Sequence, residues 1–333
     1  MIYPGDTTHV VSSSAIAGRL VESGIARNDV CVTANDALSF GPMSASDFSG
    51  SGLSLERASF WSTIFAQARL EPLNVDFSRD QVSTALSKAK SITVWTGNTI
   101  DERLFALWAV VSAHAKVPSE SPIYLADASF DVSVERVCRS AFEQSPDGLS
   151  EIFSHRIRLS ERHLSAMEGL VEIWLSPDVA ALNMVSGRLP DLLPDYCEAV
   201  RALRSRLPVK GFGLPLHQLR LLSIVVESQK NIGKLLAEFH RRYGADIGRP
   251  PDTILRAAVF EMTGGADPLL RVAGDGQGGP SFEATLAGIR LVNDGGAVSP
   301  HYEGQVAGMK FGPGLPTVWF DPIMNWASSI RAH

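Results

Sequence analysis

The chain has 333 residues, 45% of them apolar and 20% charged, with a formal net charge of −6. That length exceeds what one hydrophobic core usually supports, so two domains are expected, and the ordinary composition excludes a fibrous or disordered chain. Residues 1–150 carry 11 Lys+Arg against 17 Asp+Glu and residues 151–333 carry 19 of each, so neither half has the basic balance of a phosphate-neutralising nucleic-acid binder.

In chain order, His9 to Ser12 is apolar and β-prone, Ser12-Ser13-Ser14 forms a polar turn, and Ala15 to Glu22 places Ile16, Leu20 and Val21 at helical spacing. Gly24 closes that helix, and Val30 to Thr33 is a second short strand that stops at Asn35-Asp36. A Gly/Ser-rich stretch, Ser44 to Ser54, precedes a helix over Arg57 to Gln67. Ile92 to Trp95 is a third strand with Thr96-Gly97-Asn98 as its turn. A helix from Ile100 to Ala115 follows, with Leu104, Leu107, Trp108 and Val111 as its core stripe. Ile123 to Leu125 is a fourth strand ending at Asp127. Strands alternating with helices predict a parallel sheet, so residues 1–150 are expected to form a Rossmann-like α/β domain.

From about Ser160 the strand signals stop. Leu164 to Leu175 and Leu192 to Leu207 have helical spacing, and residues 151–212 are expected to be a helical connecting region. Residues 213–333 begin with helices over Leu216 to Val226, Ile232 to Tyr243 and Thr253 to Met262. Leu269 to Val272 and Ala287 to Val292 are expected as strands, with Asn293 to Gly296 as a tight turn. Three helices followed by a hairpin predict a winged-helix-like unit at the end of a mainly helical domain.

No apolar run approaches the ~20 residues that span a bilayer, and Met1 to Val10 lacks the order of a secretory signal, so a cytoplasmic location without membrane contact is expected. Cys31, Cys138 and Cys197 are odd in number and far apart, which suits small buried hydrophobes better than disulfides or zinc ligands. The eight histidines form no H-x-x-x-H or H-E-x-x-H spacing, so no metal site is expected.

Ligands of an open parallel sheet bind beyond the carboxyl ends of its strands. That rule gathers Ser12, Ser13, Ser14, Asp36, Ser39, Thr96, Asn98 and Asp127 as candidate ligand-binding residues. The serine turn leads into a helix, where hydroxyls and backbone N–H groups suit a phosphate or carboxylate; the competing role is Ser14 as a simple helix cap. Neither G-x-G-x-x-G nor G-x-x-x-x-G-K-[ST] follows the first strand, and no G-x-S-x-G is present, which disfavours conventional dinucleotide, P-loop and hydrolase chemistry. Asp36, Glu102 and Arg57 are the catalytic candidates, with Glu102 and Arg57 as a polar pair for the pocket. Against them stand a turn role for Asp36 and a helix-dipole role for the acids Asp101 and Glu102.

The bases Arg201, Arg204, Arg206, Lys210, Lys230, Lys234, Arg241 and Arg242 are interleaved with Glu198, Glu227 and Glu238, a pattern that fits a solvated face better than a nucleic-acid surface.

With these segments in view, the chain resembles a bacterial family known only as domain of unknown function 1835, with domain of unknown function 3658 as its C-terminal companion. The resemblance rests on His9-Val10-Val11-Ser12-Ser13-Ser14, on Asp36-Ala37-Leu38-Ser39-Phe40-Gly41-Pro42, and on Arg57 with Phe60-Trp61. Further landmarks are the Trp95 strand leading to Glu102, Gly213-Leu214, Leu219 to Leu222, and Leu291 to Gly296. The serines Ser12-Ser13-Ser14 after the first strand depart from the Gly-Asp pair that the resemblance implies there. The resemblance implies fold and bacterial origin and names no reaction.

The expected function is therefore binding of a small anionic or nucleotide-like ligand at the strand edge, with enzyme status, reaction and cofactor open. The alternative is a non-enzymatic regulatory or interaction protein that uses the winged-helix-like unit for protein or nucleic-acid contact, in a homo-oligomer or with a protein partner.

Overall fold

A computed structural model describes residues 7–34, 36–49, 54–71, 79–131, 136–137, 140–187, 193–244, 249–276, 279–295, 304–311, 317–324 and 326–330. Met1, Asn35, Cys138, Leu192 and Gly296, named above, lie outside the described residues.

The first part is a five-stranded, mostly parallel sheet. Its strands are β1 (Thr7–Val11), β2 (Cys31–Thr33), β3 (Ser91–Thr96), β4 (Ile123–Asp127) and β5 (Ile157–Arg158), in the order β2-β1-β3-β4-β5. The first four are parallel; β5 runs antiparallel to β4 and is a strand that the sequence pattern does not announce. The pairings Val11↔Thr33, Val10↔Val94 and Thr96↔Asp127 bring the carboxyl ends of all four parallel strands to one edge.

Side chains alternate across a strand, so the short apolar runs are split between two cores. Val10, Val94 and Leu125 face one core, while Val11, Trp95 and Ala126 face the other with Ile16 and Leu20 of α1 (Ser14–Glu22) and Leu149. The first core also takes in α4 (Ile100–His114), which follows α2 (Leu55–Gln67) and α3 (Arg79–Lys88). Residues 102–110 of α4 are all buried, so this helix is enclosed and not merely striped. Its second face meets α5 (Glu161–Leu175) and α6 (Pro194–Ala202), through Leu170, Trp174 and Val200.

The predicted helix Leu192 to Leu207 is shorter. It begins at Pro194, whose missing N–H is harmless at a first helical position, and tightens after Ala202 into a 3₁₀ turn over Leu203–Arg206.

The second part contains α7 (Leu216–Glu227), α8 (Ile232–Tyr243) and α9 (Asp252–Glu261). Its antiparallel sheet, in the order β7-β8-β6, is built from β6 (Lys230–Asn231), β7 (Leu270–Gly276) and β8 (Gly279–Ala284). Leu221, Leu222, Leu235, Phe239, Val259, Leu270 and Phe282 form its own core. The expected strand Ala287 to Val292 is instead part of the helix α10 (Leu286–Asp294). Thr285 caps that helix by accepting the Gly288 N–H at 3.2 Å, and Gly295 ends it at φ 69°.

The chain then returns to the first part. β9 (Gly304–Ala307) pairs parallel with Gly41–Pro42, and Val306, Phe320 and Ala327 join the first core. Among the described residues, no helix is long and apolar enough to cross a membrane.

Candidate functional site at the strand edge

The order β2-β1-β3-β4 changes direction between β1 and β3. The chain leaves β1 through α1 toward one side and later builds β3 and β4 on the other. The loops after β1 and β3 therefore diverge, and such a switch point opens a crevice.

On the β1 side lie Ser12, Ser13 and Ser14. Ser13 has extended backbone, and its hydroxyl accepts the Ile16 N–H at 3.3 Å. The helix cap is thus Ser13 and not Ser14, because Ser14 already has helical geometry. Ser12 is half-buried and Ser14 exposed, both beside the N–H groups of the first helical turn, which have no carbonyl partner within the helix.

On the β3 side, two hydroxyls fix the backbone of Glu102. The Thr96 hydroxyl donates to the Glu102 carbonyl at 3.2 Å, and the Thr99 hydroxyl accepts the Glu102 N–H at 3.1 Å. Asn98 is exposed on the same loop. The Glu102 side chain is only 9% exposed, and its Oε2 is buried without a hydrogen-bond partner among the described residues. Burial pushes its carboxyl up to about 7, against the opposing effects of a Ser140 hydrogen bond and the Arg103 charge. A carboxyl in that range both donates and accepts near neutral pH.

Asp127 stands at the end of β4. Its carboxylate accepts from Arg103 Nη1 at 2.8 Å and from the Ser129 N–H at 2.9 Å. Arg103 also reaches Asp195 at 3.3 Å and lies over the Tyr196 ring, 5.2 Å from its centre. Tyr196 is buried, and desolvation pushes its phenol up to about 12. Asp127 is thereby charge-paired at the strand edge.

Asp36, Ser39 and Arg57 belong elsewhere. Arg57 is fully buried, and all five of its N–H donors are engaged: with both oxygens of Asp36 and with the carbonyls of Ala37, Phe40 and Pro42. Trp61 Nε1 adds a bond to Asp36 Oδ1 at 3.0 Å. The expected Glu102–Arg57 pair is therefore replaced by an Asp36–Arg57 pair that closes the 36–42 loop, where neither charge is open to a ligand. Ser39 is buried as well, with its N–H on Asp101 at 2.8 Å and its hydroxyl accepting from Arg206 at 3.3 Å.

The fold thus brings Ser12, Ser13, Ser14, Thr96, Asn98, Glu102 and Asp127 to one edge and sets Asp36, Ser39 and Arg57 apart. Ser140, Tyr196 and Asp195 join the edge without any local pattern to announce them, since they arrive from helices and loops distant in the chain. Compared with known proteins, the chain matches no family model and no curated sequence.

Proposed function

We propose that the protein binds a small anionic or nucleotide-like ligand in the crevice between β1 and β3. The observation that carries this is Glu102, a nearly buried carboxyl whose Oε2 has no partner among the described residues, beside the point where the strand order reverses. The anionic group sits at the start of α1, against Ser12, Ser14 and the first-turn N–H groups, where the helix dipole favours negative charge. Glu102, whose carboxyl burial holds up to about 7, donates a hydrogen bond to the ligand in its protonated form. The parallel order 2-1-3-4 supports a Rossmann-like description of the sheet. The resemblance to the bacterial family of unknown function belongs to the same proposal, with Asp36 to Pro42 as the loop that Arg57 closes.

The test is a thermal-shift and calorimetric screen of the whole chain against nucleotides, S-adenosylmethionine, nicotinamide cofactors and sugar phosphates. A ligand at about 100 times its Kd stabilises by roughly 2.7 kcal/mol, a rise of several degrees in Tm. Ser12→Asp and Ser14→Asp, which add negative charge at the helix start, should each remove the shift. Binding that survives both substitutions would sink the assignment.

The second reading concerns the C-terminal unit. Three helices and an antiparallel sheet in the order β7-β8-β6 support a winged-helix-like description. Its third helix, α9, packs on α2, with Ile254 among Phe40, Trp61 and Phe65, and Arg256 Nε donates to the Ala68 carbonyl at 2.7 Å. The helix that would enter a DNA groove is therefore occupied within the chain. On α8, Arg241 and Arg242 are tied to Glu238, and Arg242 also to Glu227. We infer that the unit acts as a protein-contact module; electrophoretic mobility of mixed duplex DNA that shifts with the protein at low salt would overturn this.

A further inference from the structure

Where α9 and α7 meet α2, a cavity of about 160 Å³ opens, lined in part by Phe40 and Gly41 of the loop that Arg57 closes. Phe40, Phe60, Ile64 and Ile254 supply apolar walls, and Arg206, His217, Gln218 and Glu261 the polar ones. That volume is close to the ~150 Å³ of an apolar cavity that holds benzene, so the space suits one ring.

Arg206 is buried, with its guanidinium 4.3 Å from the centre of the Phe40 ring. Burial brings it down to about 10, a value at which it stays cationic at neutral pH, and Asp101 supports that charge. His217 is 5% exposed, sets its ring edge-on to Phe40 at 5.4 Å, and keeps a buried Nδ1 with no hydrogen-bond partner among the described residues. Burial and then the nearby Arg206 charge hold its imidazole down to about 3, so it is neutral. A fixed cation, a neutral imidazole nitrogen awaiting a partner and aromatic walls together describe a receptor for a ring bearing a negative group.

We propose that this inter-part cavity is a second binding site, specific for a single-ring aromatic carboxylate whose carboxylate meets Arg206 and His217 Nδ1–H and whose ring lies against Phe40 and Phe60. It shares no lining residue with the strand-edge group Ser12, Ser13, Ser14, Thr96, Asn98, Glu102 and Asp127. The part-buried Gln218–Glu261 pair, with Gln218 Nε2 donating to Glu261 Oε2 at 2.8 Å, offers a polar contact to a ring hydroxyl or ring nitrogen.

The test is calorimetry and ligand-observed NMR on the full chain with benzoate as the probe, against benzamide as its neutral isostere. Benzoate is expected to bind saturably at one site, and benzamide roughly tenfold more weakly or worse, since the amide lacks a charge for the guanidinium. Arg206→Met should lower benzoate affinity by a similar factor. Because removing a buried cation can unsettle folding, Ala257→Leu is the companion: it fills the cavity from α9 and should abolish benzoate binding in a protein with unchanged circular dichroism. No saturable benzoate binding, equal binding of benzamide, or undiminished binding in folded Ala257→Leu would each overturn the proposal. Nucleotide or sugar-phosphate shifts at the strand edge are expected to be unaffected by Ala257→Leu, which keeps the two sites separable.

Discussion

Arg57 grips Asp36 through a two-pronged pair, Nε to Oδ2 at 2.6 Å and Nη2 to Oδ1 at 2.5 Å, with both side chains almost fully removed from solvent. Breaking a buried pair from one side strands the other charge and costs about 3–5 kcal/mol. Asp36→Ala and Arg57→Ala should each lose that much in urea unfolding, and Arg57→Lys should recover only part, since an ammonium cannot replace five fixed donors. A loss under about 1 kcal/mol for Asp36→Ala would show that the pair does not hold the loop.

Gly41 sits in the same loop at φ +73°, and a Cβ there would lie 2.6 Å from the Phe60 ring. Gly41→Ala should therefore destabilise by about 1–3 kcal/mol and displace Phe60 from the inter-part cavity. Gly18 is the control: it is exposed within α1, and a Cβ added there would meet nothing within 4 Å, so Gly18→Ala should stabilise by up to about 1 kcal/mol. Equal Tm values for the two variants would contradict both assignments.

Burial holds the carboxyls of Glu102 and Glu261 up to about 7, against 4.5 for the free side chain. For a raised acid the folded form keeps its proton longer than the unfolded chain does. The stability each contributes is complete below pH 4.5 and declines as pH rises through 7. Glu261→Gln and Glu102→Gln should thus stabilise at about pH 8 by up to on the order of 3 kcal/mol each, and change little at about pH 4. Urea midpoints at the two pH values measure this, and an effect of the same size at both would be incompatible with burial as the cause.

His9 behaves oppositely. It accepts the Trp95 indole N–H at Nδ1, 3.1 Å away, and burial, with the Arg156 charge, holds it down to about 4 against 6.5. The unfolded chain takes up a proton below pH 6.5 while the fold does not, so stability falls by on the order of 3 kcal/mol as pH drops from 6.5 to 4. His9→Asn keeps an acceptor for Trp95 and removes the titration. Its stability should be the flatter function of pH over that window, whatever its absolute value.

The alternation of apolar strands and helices through Asp127 was enough to specify a layered α/β part with a parallel sheet, and the strand-end rule was enough to gather Ser12 to Ser14 with Thr96, Asn98 and Asp127 on one edge. Those inferences succeed because hydrophobic period and turn chemistry are local properties, written in a dozen or so neighbouring residues. Ala287 to Val292 misleads for the same reason: a short apolar run fits a strand or a helix, and the Thr285 cap decides between them only once its partner Gly288 is seen. The roles of single charged groups emerged only from the folded arrangement. Asp36 resembles a ligand-binding carboxylate until Arg57, 21 residues away, is found to enclose it. Arg206 reads as part of a solvated basic face until it is found buried against Phe40, and His217 and Glu261 have no pattern that points to a common cavity. Whether a charge is paired, desolvated or open to a ligand depends on the groups that surround it in space, and these come from segments that only the complete fold brings together.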